Sequence, residues 1–309
     1  MAAALAQQAV AHTQAAAERL FSSMLRSPDP RARAAAQLAL DEKDALADTA
    51  RLTRDPTVYA LALQACGRGA AAARTASCSS LSAAQMARLD AHNVVPWLHV
   101  ATEALSRADS GGVAEATYRA SLARESRLRE YAFAELALAA IPPDWPPREA
   151  MLASARILEI HASLALPSYL AVFQHCAQER MHDTNLQQTC SRLAQVLTTS
   201  GDSLVDYGLG RRLGERAGWP AEAVEAHNAR FEAFKLTQTD GDTLASGVPL
   251  APGCDALRRG VRLAFAHAHH GERAFAEAEL SRSGLGDAEI LRRYRTSQQH
   301  KAASPSATR

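Results

Sequence analysis

Aromatic residues and long apolar runs are both scarce in this chain. Phe, Trp and Tyr together account for 5% of the 309 residues. No window of about 18 residues is continuously apolar, so the sequence predicts no membrane-spanning helix. β-Branched residues seldom occur in runs, and no alternating segment is followed by a hairpin turn. These absences argue against a fold built on β-sheet.

An excess of charge of either sign is also lacking. The chain has 34 basic and 33 acidic residues, spread fairly evenly, and a formal net charge of +1. Such a balance creates no long-range field that would gather phosphate groups or anionic lipid. The sequence therefore predicts neither a nucleic-acid partner nor binding to a membrane surface.

Motifs of the common enzyme classes are absent as well. There is no GxSxG nucleophile elbow, no GxxxxGK[ST] phosphate loop, no GxGxxG turn after a strand and no HExxH or CxxC metal signature. The acidic cluster Asp41, Glu42, Asp44 and Asp48 lies where acids cap a helix and offset its dipole. The sequence predicts no cofactor and no enzymatic activity.

Alanine is abundant, together with Leu, Arg, Glu and Gln, and all of these residues favour helices. Short amphipathic segments follow one another, separated by helix start and stop signals. In "TRDPTVYALALQACGRG", Asp55 is placed to cap a helix, Pro56 to occupy its first position, and Gly67 or Gly69 to end it. We therefore predict an all-α protein.

The proline-rich segment "AAIPPDWPPREAM" is the clearest internal boundary. It divides the chain into a predicted N-terminal helical repeat lobe, residues 1–141, and a C-terminal helical lobe, residues 142–296. Residues 297–309 have the composition of a disordered tail. The start of the chain is apolar but lacks a basic n-region, so it is not a convincing signal peptide.

Residues 89–121 carry the most specific pattern in the chain. Small residues at Ala101 and Ala104 allow two helices to approach closely, and Trp97 fills the gap beneath a neighbouring unit. The positions that make up the pattern are Leu89, Asp90, Asn93, Trp97, Val100, Ala101, Ala104, Asp109, Ala114 and Tyr118.

This stretch resembles a tetratricopeptide repeat, in which L-D-x-x-N leads to W-x-x-L/V-A/G on one helix and A-x-x-x-Y-x-x-A lies on the next. It departs from that pattern by a one-residue insertion at "SGG", by Ala108 in place of the turn glycine, and by the missing closing proline. No second copy is visible at a 34-residue period. The resemblance implies a right-handed α-solenoid of helical hairpins, a TPR-like superhelix bent into two lobes, that binds partner peptides in a concave groove. The alternative is a non-repetitive helical domain.

The predicted binding face lies on the first helix of this stretch. His99, Glu103 and Arg107 recur there at helical spacing. Arg124 and Arg127 follow the second helix and are placed to pair with acidic groups of a ligand. The alternative interpretation is an ordinary solvated charged surface, on which ion pairs contribute little.

The cysteines form two pairs of similar spacing. Cys66 and Cys78 are twelve positions apart, Cys176 and Cys190 are fourteen apart, and each pair joins the end of one predicted helix to the next. Such a span closes readily to the roughly 5.5 Å Cα separation of a disulfide. Each bridge would stabilise the fold by about 3 kcal/mol. Two disulfides would place the protein in an oxidising compartment, periplasmic or secreted.

The alternative for the cysteines is that all are free. Buried free cysteines behave as small apolar residues, and they would then belong to the core of a cytoplasmic protein. Cys254 has no partner at a matching spacing. It is either a buried thiol or a reactive thiol at a helix N-terminus.

A histidine cluster in "AFAHAHHGERAF" is the candidate metal site. His267 and His270 are spaced i, i+3 on a predicted helix, so they face the same side and can chelate zinc. Glu272 is the nearest carboxylate at a useful spacing. Closed structural zinc sites need four ligands, and only two converge here. The alternative is a solvated cluster that the dipole at a helix C-terminus favours.

Together these patterns predict a protein–protein interaction scaffold that binds a peptide or protein partner on a concave helical surface. Two other functions stay open at this point. One is a metal-dependent enzyme with a pocket in the helical array, and the other is an inhibitory or immunity-type protein that captures one partner. The oligomeric state is also open, because a solenoid end can be capped by a polar terminal helix or by a second copy.

Overall fold

The computed structural model describes residues 2–67, 75–238, 263, 265–267 and 269–303. Within these residues the protein is helical throughout, with no β-strand and two isolated bridges between loop residues. The predicted all-α class is confirmed. None of the described helices combines the length and the apolar character needed to cross a bilayer.

The described helices are mostly short and follow one another closely along the chain. In chain order they are α1 (Ala2–Met24), α2 (Pro30–Ala39), α3 (Lys43–Leu52), α4 (Pro56–Gly67), α5 (Ala76–Ser79), α6 (Ala83–Leu89), α7 (Val94–Ser106), α8 (Ser110–Ser121), α9 (Ala132–Ala139), α10 (Pro147–Ala162), α11 (Leu170–His175), α12 (Thr184–Ser200), α13 (Leu204–Arg216), α14 (Ala221–Gln238), α15 (Glu272–Arg282) and α16 (Asp287–Ala303). Two 3₁₀ turns, Arg129–Tyr131 and Gln178–Arg180, supplement them.

The chain folds into two compact units, each assembled from separated stretches of sequence. The first unit comprises Met1–Ala91, Leu128–Ser168 and Gly253–His269, and the second comprises His92–Arg127, Tyr169–Pro252 and His270–Arg309. The proline-rich segment 141–149 lies inside the first unit, between α9 and α10. Prolines end one helix and start another equally well within a unit. The boundary predicted at residues 141 and 142 therefore separates two helices of the same unit.

Helices of the first unit start where capping chemistry predicts. The Asp55 carboxylate accepts a hydrogen bond from the backbone N–H of Thr57 at 2.8 Å. Pro56 occupies the first position of α4, and the described part of this helix runs to Gly67. Because proline has a helical φ and no N–H to satisfy, it is tolerated in this position. Asp29 caps α2 in the same way.

Alanine determines how closely the helices of the first unit approach one another. Ala34, Ala35 and Ala36 of α2 are fully buried. The few large side chains fill the remaining space, and the rings of Phe21 and Phe133 lie 6.3 Å apart. Small side chains at helix contacts bring the backbones together and keep the interior dense. The first unit therefore builds a continuous core although it is rich in alanine and has few aromatic residues.

Helices α7 and α8 of the second unit form a helical hairpin in the stretch that resembles a tetratricopeptide repeat. Ala101 and Ala104 of α7 are buried, as are Ala116 and Ala120 of α8, and the two helices pack along their length. In the turn between them, Ala108 has a φ of 55°. This left-handed conformation favours glycine, because it crowds a Cβ atom. Ala108 therefore adopts a backbone conformation that favours glycine.

Three loops of the second unit are joined by hydrogen bonds. The side chain of Asn93 is fully buried, accepts from the backbone N–H of Arg127 at 2.8 Å and donates to the Arg127 carbonyl at 2.9 Å. The backbone of Ser126 then accepts from Asp202 at 2.9 Å and donates to Ser200 at 3.1 Å. Burial makes these bonds costly to break, because each would leave an unsatisfied polar group.

The last helix, α16, runs to Ala303. Residues 297–303 of the predicted disordered tail are therefore helical, and residues 304–309 lie outside the described residues. On α16, Arg295 pairs with Glu225 of α14 at 2.7 Å. The contact with α14 is a tertiary one, which composition alone does not reveal.

Both predicted cysteine pairs are confirmed at disulfide-bonding distance. The Cα atoms of Cys66 and Cys78 lie 5.4 Å apart, and those of Cys176 and Cys190 lie 6.0 Å apart. The second pair is fully buried and links the end of α11 to α12. Cys254 lies outside the described residues.

Replacing Ala108 by glycine is expected to stabilise the protein by roughly 0.5–1 kcal/mol. The substitution relieves the left-handed strain, and the extra chain entropy of glycine offsets part of the gain. Urea unfolding of the variant measures the change. Ala114→Gly in α8 is the matched control and should cost about 1 kcal/mol. Equal destabilisation by both substitutions would contradict the assignment of strain to Ala108.

Removing the buried disulfide by the double substitution Cys176→Ser and Cys190→Ser is expected to cost about 3 kcal/mol, because the unfolded chain regains the entropy of an open loop. Urea unfolding gives the difference, and a thiol count on the unreduced wild-type protein should detect only Cys254. Cys254→Ser is the control, expected to leave stability nearly unchanged. Five reactive thiols in the unfolded, unreduced protein would show that neither bridge forms.

Candidate functional site

An apolar groove lies between α14, α15 and α16 of the second unit, and we call it the C-terminal groove. Its volume is about 670 Å³, which falls within the range of ligand-binding cavities. Leu236 stands at its edge with 54% of its surface exposed. Its other apolar lining residues are Ala229, Ala233, Leu280, Leu285, Ile290 and Tyr294.

The groove exists because α14 has apolar residues on two faces. Phe234 points into the second unit, fully buried, with its ring edge-on to Tyr207 and the two centroids 5.1 Å apart. Ala229, Ala233 and Leu236 recur at helical spacing on another side. Ala229 and Ala233 are already buried in the core of the second unit, so Leu236 is the residue of this face that is available to a binding partner.

Charges around the C-terminal groove cancel one another. The lining contains two acids, Glu232 and Glu279, and two bases, Arg282 and Arg293. Arg282 pairs with Glu279, and Arg293 pairs with Glu289 at 2.6 Å. Because the guanidinium groups already have partners within their own helices, the groove offers no net charge to a ligand. Its chemistry therefore suits an apolar side chain.

The predicted partner-binding residues lie on the second unit, and most of them are exposed. Glu103 and Arg107 face solvent on α7 and at its end. His99 is half-buried, and burial lowers the pKa of its imidazole, so it is neutral at neutral pH. Arg124 is exposed, whereas Arg127 contacts the carboxylates of two neighbouring residues, Glu125 at 3.6 Å and Asp202 at 3.7 Å. These side chains line no cavity described above.

The predicted metal residues lie in different units. His267 belongs to the first unit, and burial together with the nearby His161 lowers the pKa of its imidazole to about 4. His270 belongs to the second unit and is exposed. Within the described part of the chain, no three His, Cys, Asp or Glu side chains converge in a metal-binding arrangement.

Two other groups near the histidine cluster have structural partners. The imidazole of His269 contacts the Glu135 carboxylate at 2.8 Å. Glu272, the acid considered for a metal site, accepts a hydrogen bond from the backbone N–H of Leu204 at 2.9 Å. An acid in this position satisfies a free donor at the start of α13 and favours the helix dipole.

A fully buried carboxyl group, that of Asp206 on α13, lies under the joined loops of the second unit. It accepts hydrogen bonds from the hydroxyl of Tyr169 and from that of Ser126, the latter at 3.0 Å. The Ser203 hydroxyl accepts from the Asp206 backbone N–H at 2.9 Å. This network connects the start of α11, the loop after α8 and the start of α13.

Burial dominates the acid–base behaviour of Asp206. Removing the carboxyl from water disfavours its charged form and raises its pKa to about 6, although the hydrogen bonds from Tyr169, Ser126 and Ser203 act in the opposite direction. The negative charge of Asp202 adds to the increase in the pKa. The group is therefore largely ionised at neutral pH and protonated in mild acid, while remaining buried.

Sequence reasoning missed both the C-terminal groove and Asp206. The segment "SLVD" at residues 203–206 has the spacing of a helix-capping motif, and Ser203 does cap α13. That signal predicts the start of the helix but not the direction of the acid, which turns toward Ser126. The sequence of α14 shows apolar residues on more than one side. That pattern also fits a fully buried helix, so it does not by itself predict a groove.

Comparisons with known proteins show no relative. No protein-family model matches the chain, and no curated protein or solved structure matches it either.

Replacing Asp206 by asparagine is expected to remove a pH dependence of stability. Between about pH 4 and pH 6 the folded protein holds a proton on Asp206 that the unfolded chain releases, because the pKa is 3.8 in an unperturbed carboxyl and about 6 here. Wild-type stability should therefore fall as the pH rises through this window, by up to roughly 3 kcal/mol. Urea unfolding at several pH values gives the free energy of unfolding against pH for the wild type and for Asp206→Asn. The difference between the two curves is the contribution of Asp206. Parallel curves for the two proteins would contradict the assignment.

Proposed function

We propose that this protein is a protein–protein interaction scaffold, a right-handed α-solenoid of helical hairpins that binds a peptide or protein partner. The observation that carries the binding role is the C-terminal groove, with its apolar floor shared by three helices and Leu236 exposed at its edge. An exposed apolar groove of this kind is costly to maintain unless something covers it, and such surfaces mark binding sites.

The occupant that suits the C-terminal groove is an apolar segment of a partner protein. Because the rim charges are paired, a charged ligand gains nothing from them. An amphipathic helix or extended peptide would place its apolar side chains beside Leu236 and Tyr294.

The repeat architecture is supported by a contact at the period of the family. Asn93 binds both backbone groups of Arg127, 34 positions later in the chain. Tyr131 follows Trp97 by the same interval and precedes α9 directly. Tetratricopeptide repeats have a 34-residue period. The Asn93 contact within the second unit is the support for the proposed repeat architecture.

We also propose a periplasmic or secreted location. The two cysteine pairs at disulfide distance are compatible with an oxidising environment. A loop-closing bridge in each unit would hold its helices together where no reducing system opens it.

Peptide selection from a displayed random library tests the binding role and the C-terminal groove together. We expect wild-type protein to enrich peptides with apolar side chains, and Leu236→Asp to weaken their binding by about tenfold, because it places a charge in an apolar contact. Leu52→Asp is the matched control, since Leu52 is 88% exposed in the first unit and lines no described groove. Failure to enrich any peptide would overturn the proposed function.

A further inference from the structure

A second groove of the second unit lies along α11 and α13, and we call it the α11/α13 groove. Its volume is about 580 Å³. Leu170 is 56% exposed at this groove. The other lining residues that matter here are Tyr169, Phe173, Glu179, Leu209 and Arg216.

The Arg216 guanidinium is held at this groove without a carboxylate partner. It lies over the ring of Phe173, 4.9 Å from the centroid, and donates to the Phe173 carbonyl at 3.2 Å. Across the part of the chain that the structure describes, no carboxylate oxygen lies within ion-pairing distance of it. By contrast, Arg119 on α8 pairs with Glu115 at 2.7 Å. Arg216 is thus oriented in advance, without an ion pair to any described carboxylate.

A row of side chains runs along one side of α13 and ends at Arg216. Val205, Leu209, Arg212 and Arg216 recur at intervals of four, three and four, which places them on one side of the helix. Val205 is exposed and Leu209 is half-buried. The stripe is therefore apolar at the start of α13 and basic at its end.

We propose that the α11/α13 groove binds a partner segment in which an apolar side chain stands next to an aspartate or glutamate carboxylate. The carboxylate pairs with Arg216, and the apolar side chain packs on Leu170 and Leu209. This inference rests on the proposed interaction function and specifies the chemistry of one partner segment. Charge complementarity selects this occupant, because a guanidinium presents paired donors that match a carboxylate.

The acidic residue of the lining sets the direction of the bound segment. Glu179 lies in the 3₁₀ turn Gln178–Arg180, whereas Arg216 ends α13. A carboxylate of the partner is repelled by Glu179 and attracted by Arg216, so the acidic end of the segment lies against Arg216.

Neighbouring contacts hold the walls of this groove in place. The Tyr169 hydroxyl donates to the buried Asp206 carboxyl, and the Cys176–Cys190 pair joins the end of α11 to α12. A groove whose walls are already fixed loses little conformational entropy when a ligand binds.

An array of short peptides tests the proposal, using purified full-length protein as the probe. The peptides share leucine or phenylalanine at fixed positions and differ only in acidic, basic or serine neighbours. We expect the acidic series to bind most tightly, and Arg216→Gln to weaken that binding by about tenfold or more, because a charge-assisted pair is lost. Arg119→Gln in the same unit is the control and should bind like the wild type. Raising the salt concentration should weaken the acidic series alone.

Leu170→Asp tests the apolar half of the groove without touching Arg216. It should reduce binding of every peptide in the acidic series, whereas Leu122→Asp, at a residue 45% exposed in the same unit, should not. If neither Arg216→Gln nor Leu170→Asp changes peptide binding, the α11/α13 groove is not the binding site, and the proposed scaffold function is unaffected. Absence of binding to any peptide would count against both. A wild-type dimer that becomes monomeric in Leu170→Asp would assign the groove to a second copy of this chain instead.

Discussion

Buried polar side chains between the loops are the constraint on which the second unit depends. Asn93 supplies an acceptor and a donor to the backbone of Arg127, and Asp206 accepts from hydroxyls that lie on two other segments. Each group is out of water, so separating the loops would leave several polar atoms unsatisfied at once. Helices with little aromatic content need such directional contacts, because alanine-rich faces pack closely but with little preference for one register.

Both grooves are consequences of that arrangement. The Asp206 carboxyl connects α13 to Tyr169 at the start of α11, and α12 and α14 pack on α13. Leu170 on α11, Val205 on α13 and Leu236 on α14 stay exposed. The charged groups that line the C-terminal groove form ion pairs, whereas Arg216 in the α11/α13 groove has no ion pair with a described residue. Two surfaces of different chemistry on one unit suit a scaffold that recognises an extended partner at more than one point.

Much of the local structure was predictable. The all-α class, the start of α4, and the pairing of Cys66 with Cys78 and of Cys176 with Cys190 were expected from residue type and spacing. The predicted metal and partner residues stay predictions, and the structure shows where each of them lies. His267 and His270 share a predicted helix face but belong to different units, and Glu272 caps α13. The residues predicted on the partner face lie away from the two grooves, because exposure alone does not create a concave surface.

The sequence by itself determined the helices, their caps and the cysteine pairs, because each depends on residues within one turn or one short loop. The tertiary structure alone decided the grooves and the surroundings of Asp206. Ser126 and Tyr169 lie 80 and 37 positions from Asp206 in the chain, and no local pattern records such an encounter. Likewise, Leu236 and Arg216 became candidate binding residues only because packing covered other faces of their helices and placed these side chains at grooves of the second unit.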